Sequence, residues 1–156
     1  MTNNFVDIVE QDEKKAHEIE FVLWPRQWKT YTNLHNWITI PFEDNAKSQI
    51  PDVSGIYSFI IKPGIAQHPA CAYLMYIGKT KSLRRRFGEY LNHSKTSKGR
   101  PKIVRFLIKY SGYLKFCYTT VSTHNIGAIE NGLIKAYLPP ANDQFPAEIG
   151  PAMKAF

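Results

Sequence analysis

The sequence predicts a mixed α/β domain in the order strand, strand, helix, helix, strand, helix, and three observations carry that reading. Val53 to Ile61 is rich in β-branched and aromatic residues, which suit a pleated strand. From Ser82 the apolar period turns helical, with Leu83, Phe87, Tyr90 and Leu91 on one face. Asn125 to Tyr137 repeats that period through Ile126, Ile129, Leu133, Ile134 and Tyr137, and Pro139-Pro140 stops it.

The remaining elements follow in order. Glu10 to Trp24 reads as an amphipathic helix with Ala16, Ile19 and Leu23 at helical spacing and Pro25 just beyond. Trp24 to Pro51 is rich in aromatics, closes with a polar, loop-like run at Glu43 to Gln49, and has no clear assignment. Lys62-Pro63-Gly64 interrupts the first strand, because proline lacks a donor and glycine favours turns; strand character resumes at Ala72 to Ile77, giving a hairpin with a long connection at Lys62 to Cys71. The helix opening at Ser82, with Thr80 or Ser82 as cap, is expected to end near His93. Ser94 to Gly99 reads as loop, Lys102 to Tyr110 as a short basic helix burying Ile103, Phe106 and Leu107, and Tyr113 to Val121 as a strand.

A chain of 156 residues fits one domain with a core of its own. Its net charge of +7 points to a polyanionic partner, above all nucleic acid. The charge is segregated. Between Lys79 and Lys109 stand Lys81, Arg84, Arg85, Arg86, Lys95, Lys98, Arg100, Lys102 and Arg105 with a single acid, Glu89, whereas the first twenty residues lean acidic, with six acids against Lys14 and Lys15. Cys71 and Cys117 have no metal-ligand spacing, which argues against a zinc site and a disulfide framework. The polar, acidic start is unlike a signal or transit peptide, and no apolar run approaches membrane-spanning length; a cytoplasmic location is expected.

Gly55-Ile56-Tyr57 followed by Tyr76-Ile77-Gly78 resembles the two-part signature of the GIY-YIG nuclease family. Order and spacing continue to agree: Arg86 lies ten positions after Tyr76, Tyr90 four later, Glu130 in the last helix and Asn142 after its closing prolines. The resemblance covers Val53 to Asn142. It implies an α/β (α+β) fold, a small three-stranded antiparallel sheet flanked by helices in the order ββααβα, with residues 51–145 as the nuclease domain. Residues 1–50 would be an N-terminal helical and aromatic extension packing on the core, and 146–156 a C-terminal tail. It also implies metal-dependent endonuclease hydrolysis of DNA, double-stranded or branched, leaving 5′-phosphate ends, with the catalytic groups along one face of the sheet. The nineteen positions between Tyr57 and Tyr76 exceed the short hairpin usual in the family, so Lys62 to Cys71 reads as an inserted loop. The chain is expected to act alone, in the manner of restriction, repair or mobile-element members.

The roles have independent physical reasons. A phosphodiester under attack gathers negative charge on the attacking and leaving oxygens, so its site needs cations, a proton acceptor and an anionic metal ligand. Glu130 suits Mg²⁺ (or Mn²⁺), a hard cation satisfied by one carboxylate plus waters, although an isolated helix glutamate is ordinarily just solvated. No small-molecule cofactor is implied. Arg86 and Tyr90, one turn apart, can reach a shared ligand, and the arginine fork matches phosphate. Tyr57 and Tyr76 would otherwise be core tyrosines; as a base, a tyrosine costs about 4 kcal/mol to ionise at neutral pH, which a nearby cation such as Lys79 or the metal can offset. The reading leans to Tyr76 as the base. Asn142 would hold Glu130 or the network behind it, yet an asparagine after two prolines is also an ordinary turn residue. His93 could touch phosphate or a proton in transit, though lone surface histidines are more often inert.

Lys81, Arg84, Arg85, Lys95, Lys98, Arg100, Lys102 and Arg105 are expected to grip the DNA backbone, Arg84 and part of Arg85 being equally readable as a solvated face. A catalytically inactive DNA-binding module of the same fold is the competing reading; it needs the positive charge but not the carboxylate. A membrane-surface protein fits poorly, since no basic helix carries exposed apolar anchors. Trp24, Trp28 and Trp37 could stack on unpaired bases but are better read as packing over the core.

Overall fold

A computed structural model describes residues 16–69 and 71–142. Its centre is an antiparallel sheet of four strands: β1 (Ile38–Pro41), β2 (Gly55–Ile61), β3 (Tyr73–Thr80) and β4 (Leu114–Thr120), in the spatial order β1-β4-β2-β3. Three strands were expected. The fourth, β1, comes from the unassigned aromatic stretch, where Ile38, Thr39 and Ile40 supply β-branched side chains and pair with Tyr118, Cys117 and Phe116 of β4. Pro41 is tolerated because β1 is an outer strand and the proline stands at its end.

The helices are α1 (Pro25–Trp28), α2 (Leu83–Thr96), α3 (Pro101–Lys109) and α4 (Ile126–Tyr137), with short 3₁₀ turns at Asp44–Gln49 and Ile65–Gln67. The amphipathic helix expected over Glu10 to Trp24 is not formed in its described part: residues 16–24 have no regular structure, and residues 10–15 lie outside the described residues. The apolar spacing there serves no single buried stripe, since Ile19 packs on the core while Leu23 stays largely exposed. Pro25 starts a helical turn instead of ending a helix, in keeping with its preset φ and missing donor. The tail from 143 onwards also lies outside the described residues.

Ser82 caps α2 by accepting from the Arg85 amide at 3.2 Å, and the helix runs a turn past His93 before Ser97 adopts left-handed backbone. Pro101 opens α3 at its first turn. The Lys62 to Cys71 connection contains the second 3₁₀ turn, entered through Gly64 at φ 71°.

β2 lies inside the sheet and is covered on both faces. Tyr57, Phe59 and Ile61 meet Leu83, Phe87, Tyr90, Ile103, Phe106 and Leu107 of α2 and α3, together with Phe116 of β4. Ile56 and, on β3, Ile77 meet Leu133 and Ile134 of α4. Phe59, Phe87 and Phe116 are fully buried, each contributing about 1.5–3 kcal/mol of transfer free energy. The sheet is thus a partition, with α2 and α3 on one side and α4 on the other. A register shift at Phe59/Ile60 sets Tyr76 opposite Phe59 and Leu74 opposite Ile60.

Candidate active site

Tyr57 on β2 faces Gly78 on β3, and its ring lies directly over that glycine. A Cβ at position 78 would come within 2.5 Å of the Tyr57 hydroxyl and 2.9 Å of the Tyr76 ring, so only glycine admits both tyrosines. Gly55 is required for the same kind of reason: a Cβ there would stand 2.4 Å from the Thr119 carbonyl and 2.7 Å from Leu83. The two motif glycines are spaces that let side chains from neighbouring elements cross the strands.

The Tyr57 and Tyr90 hydroxyls share a hydrogen bond of 2.8 Å, and the Tyr76 ring centroid lies 6.1 Å from that of Tyr57. Burial pushes the Tyr57 phenol well above its ordinary range, reinforced by Tyr90 and Tyr76 and opposed by the Arg86 cation. Burial, then Tyr76, raises Tyr90 likewise, with Arg86 again opposing. Both phenols therefore stay protonated at neutral pH. Arg86 is half-buried: its Nη1 lies 3.0 Å from Glu89 Oε2, and among the described residues its buried Nε has no hydrogen-bond partner.

On the other face of the same hairpin, Lys79 Nζ lies 2.8 Å from Glu130 Oε2. The Glu130 side chain is only 16% exposed, whereas that of Lys79 is 47% exposed. Lys79 follows Gly78 directly and pairs with Ile56, so strand alternation turns it away from the tyrosines and toward α4, where the bare Gly127 leaves room for it. The candidates consequently do not share one face. Tyr57, Tyr76, Tyr90 and Arg86 form one group and Lys79 with Glu130 another, on opposite faces of the β2–β3 hairpin.

Residues 55–143 match the family defined by the GIY-YIG catalytic domain. This chain belongs to the GIY-YIG nuclease family. Among solved structures it is similar to the GIY-YIG N-terminal endonuclease domain of UvrC from Thermotoga maritima. An asparagine-to-alanine mutant of that domain, bound to its catalytic divalent cation, is 23% identical over 64% of this chain and 93% of that chain, with a TM-score of 0.46. The magnesium-bound form is 24% identical over 63% and 92%, with a TM-score of 0.45, and a tyrosine-to-phenylalanine mutant is 21% identical over 65% and 99%, also at 0.45. No curated protein matches significantly.

Within this GIY-YIG domain, Asn142 is placed against β3 and not against Glu130. Its Oδ1 accepts from the Ile77 amide at 3.0 Å and its Nδ2 donates to the Ile77 carbonyl at 2.8 Å. β3 is an edge strand, and this buried amide satisfies both Ile77 backbone groups as a neighbouring strand would. Ala141 adds an amide bond of 2.8 Å to the Met75 carbonyl.

The residues expected to grip nucleic acid are dispersed. Arg84 Nε donates to the Ile50 carbonyl at 2.7 Å, Lys95 pairs with Asp44 at 2.6 Å, and Arg85 lies 3.8 Å from Glu89. The His93 ring packs edge-on to Tyr90, 5.8 Å between centroids, and backs onto Gly99. Lys81, Lys98 and Arg100 are exposed. Lys102 and Arg105 line a cavity of about 390 Å³ together with Glu18 and Glu20 of the acidic N-terminal segment.

Sequence reading missed Lys47, whose side chain lies across α2 over Gly88, close enough that a Cβ there would stand 2.8 Å from its Nζ. The available signal was a glycine in the middle of a helix. Trp28 does not present its indole N–H to a ligand; it donates to the Ala136 carbonyl of α4 at 2.7 Å.

Proposed function

We propose that this protein is a Mg²⁺-dependent endonuclease that hydrolyses phosphodiester bonds in double-stranded or branched DNA and leaves 5′-phosphate ends. The observation that carries the reading is that the β2–β3 hairpin of a GIY-YIG catalytic domain bears a tyrosine–arginine group on one face and a shielded carboxylate paired with Lys79 on the other.

The donor chemistry fits a divalent ion. Glu130 is a partly shielded carboxylate, and the Lys79 ammonium occupies the place of a positive charge at its Oε2. The described residues contain no cluster of three or more histidine, cysteine or acidic side chains, which suits Mg²⁺, an ion that keeps several waters and needs one or two carboxylates. Bound at Glu130, it would supply electrostatic stabilisation of charge on the reacting phosphate and lower the pKa of a coordinated water.

The protein groups do the rest. Arg86, paired through Nη1 with Glu89 on a partly exposed side chain, can donate to phosphate oxygens through its outer Nη1 and Nη2 edge. Tyr57 and Tyr90, buried and bonded to each other, donate or pass on hydrogen bonds, and Tyr76 is the group assigned to orient the attacking water and take its proton. Lys79, beside Glu130, offsets negative charge that develops at the metal-holding side of the site.

Supercoiled plasmid incubated with the protein and Mg²⁺ should be nicked, and EDTA or Glu130→Ala should abolish the nicking. Undiminished nicking by Glu130→Ala would remove the proposed metal ligand, and binding without cleavage under any divalent ion would favour an inactive DNA-binding module.

A further inference from the structure

Glu89 is the one acid among the eleven bases of the Lys79 to Lys109 stretch, and it stands on the same helix as Arg86, three residues on. Its two oxygens are divided between two arginines, Oε2 at 3.0 Å from Arg86 and Oε1 at 3.8 Å from Arg85. All three side chains are a third or more exposed, so the pairs are the weak, exchangeable kind that adds little to stability. The Arg86 Nε, by contrast, is buried and has no partner among the described residues. Glu89 thus engages one arm of the guanidinium and leaves its inner edge without an acceptor.

A carboxylate on Arg86 presents the same acceptor chemistry as a phosphate: paired oxygens carrying negative charge. We propose that Glu89 is a phosphate surrogate. It holds Arg86 in the nucleic-acid-free protein, and the backbone phosphate of an entering DNA strand displaces it from Nη1. Glu89 thereby sets the affinity threshold of the site, because each productive DNA contact at Arg86 must first break its pair with Glu89. This rests on the reading that Arg86 binds the reacting phosphate.

The test is a four-way comparison of affinity for a short fluorescein-labelled DNA duplex, measured in EDTA so that no cleavage occurs. The chains are wild type, Glu89→Gln, Arg86→Ala and the double variant, with Glu43→Gln as a control for loss of one exposed negative charge elsewhere. Glu89→Gln should bind about threefold more tightly or better, beyond any gain in Glu43→Gln, and that gain should vanish on the Arg86→Ala background. Equal binding by Glu89→Gln and Glu43→Gln, or a gain that persists without Arg86, overturns the surrogate role. If Arg86→Ala alone keeps wild-type duplex affinity and wild-type plasmid nicking, it is the underlying assignment of Arg86 that fails.

Discussion

Tyr57 and Tyr90 join strand β2 to helix α2 through a 2.8 Å bond between their hydroxyls, inside a core where neither phenol can readily ionise. That bond ties the Tyr-containing strand to the helix bearing Arg86, so the placement of the Arg86 guanidinium depends on a buried polar pair. The raised phenols have a consequence for stability. A group whose folded pKa lies above its unfolded value contributes stability that is intact below the unfolded pKa and lost as pH climbs toward the folded one.

Stability should therefore fall as pH passes about 10, where tyrosines in the unfolded chain ionise while Tyr57 and Tyr90 stay protonated. Urea denaturation midpoints across that range would show a declining wild-type curve. The doubly substituted Tyr57→Phe, Tyr90→Phe protein should decline less steeply; identical slopes would mean that these phenols are not the source.

Removing the Asn142 amide should act on the strand edge. Asn142→Ala leaves both Ile77 backbone groups without their partner, and a lost buried satisfaction of this kind costs about 1–3 kcal/mol. Thermal unfolding should drop accordingly, and exchange of the Ile77 amide, followed by NMR, should accelerate more than that of the Phe59 amide in β2. Unchanged exchange at Ile77 would show that the clip does not protect it.

Lys79 is paired with Glu130, the proposed metal ligand, at 2.8 Å. Lys79→Ala should therefore bind Mn²⁺ several-fold more tightly while cleaving plasmid more slowly, a combination that a misfolded site would not give. The loss of the pair itself should be mild, below about 1 kcal/mol, because the ammonium is nearly half exposed and screened by water. Calorimetric titration of Mn²⁺ alongside nicking rates measures both effects.

The sequence made some of this visible and hid the rest for physical reasons. Strong periodicity announced α2 and α4, and the Gly55 and Gly78 tripeptides marked where side chains must cross a strand. β1 escaped because four residues ending in proline give no alternation long enough to read, and its partner β4 lies some 75 positions away in the chain. Leu23 and Ile19 had helical spacing without a common surface to bury, so pattern alone misled. At the site, order along the chain named the residues but not their faces. Only the strand register reveals that Lys79 and Tyr76, three apart, leave the sheet in opposite directions. The role of Asn142 was hidden for a related reason, since it depends on β3 being an edge strand.

The account turns on Glu130 as the residue that holds the metal ion, and direct Mn²⁺ binding to the DNA-free protein tests it without relying on cleavage. Titration calorimetry should find a single ion per wild-type chain, retained in Tyr57→Phe and lost in Glu130→Gln while the thermal midpoint of that variant stays within a few degrees of wild type. Wild-type Mn²⁺ affinity in a folded Glu130→Gln protein would contradict the central assignment.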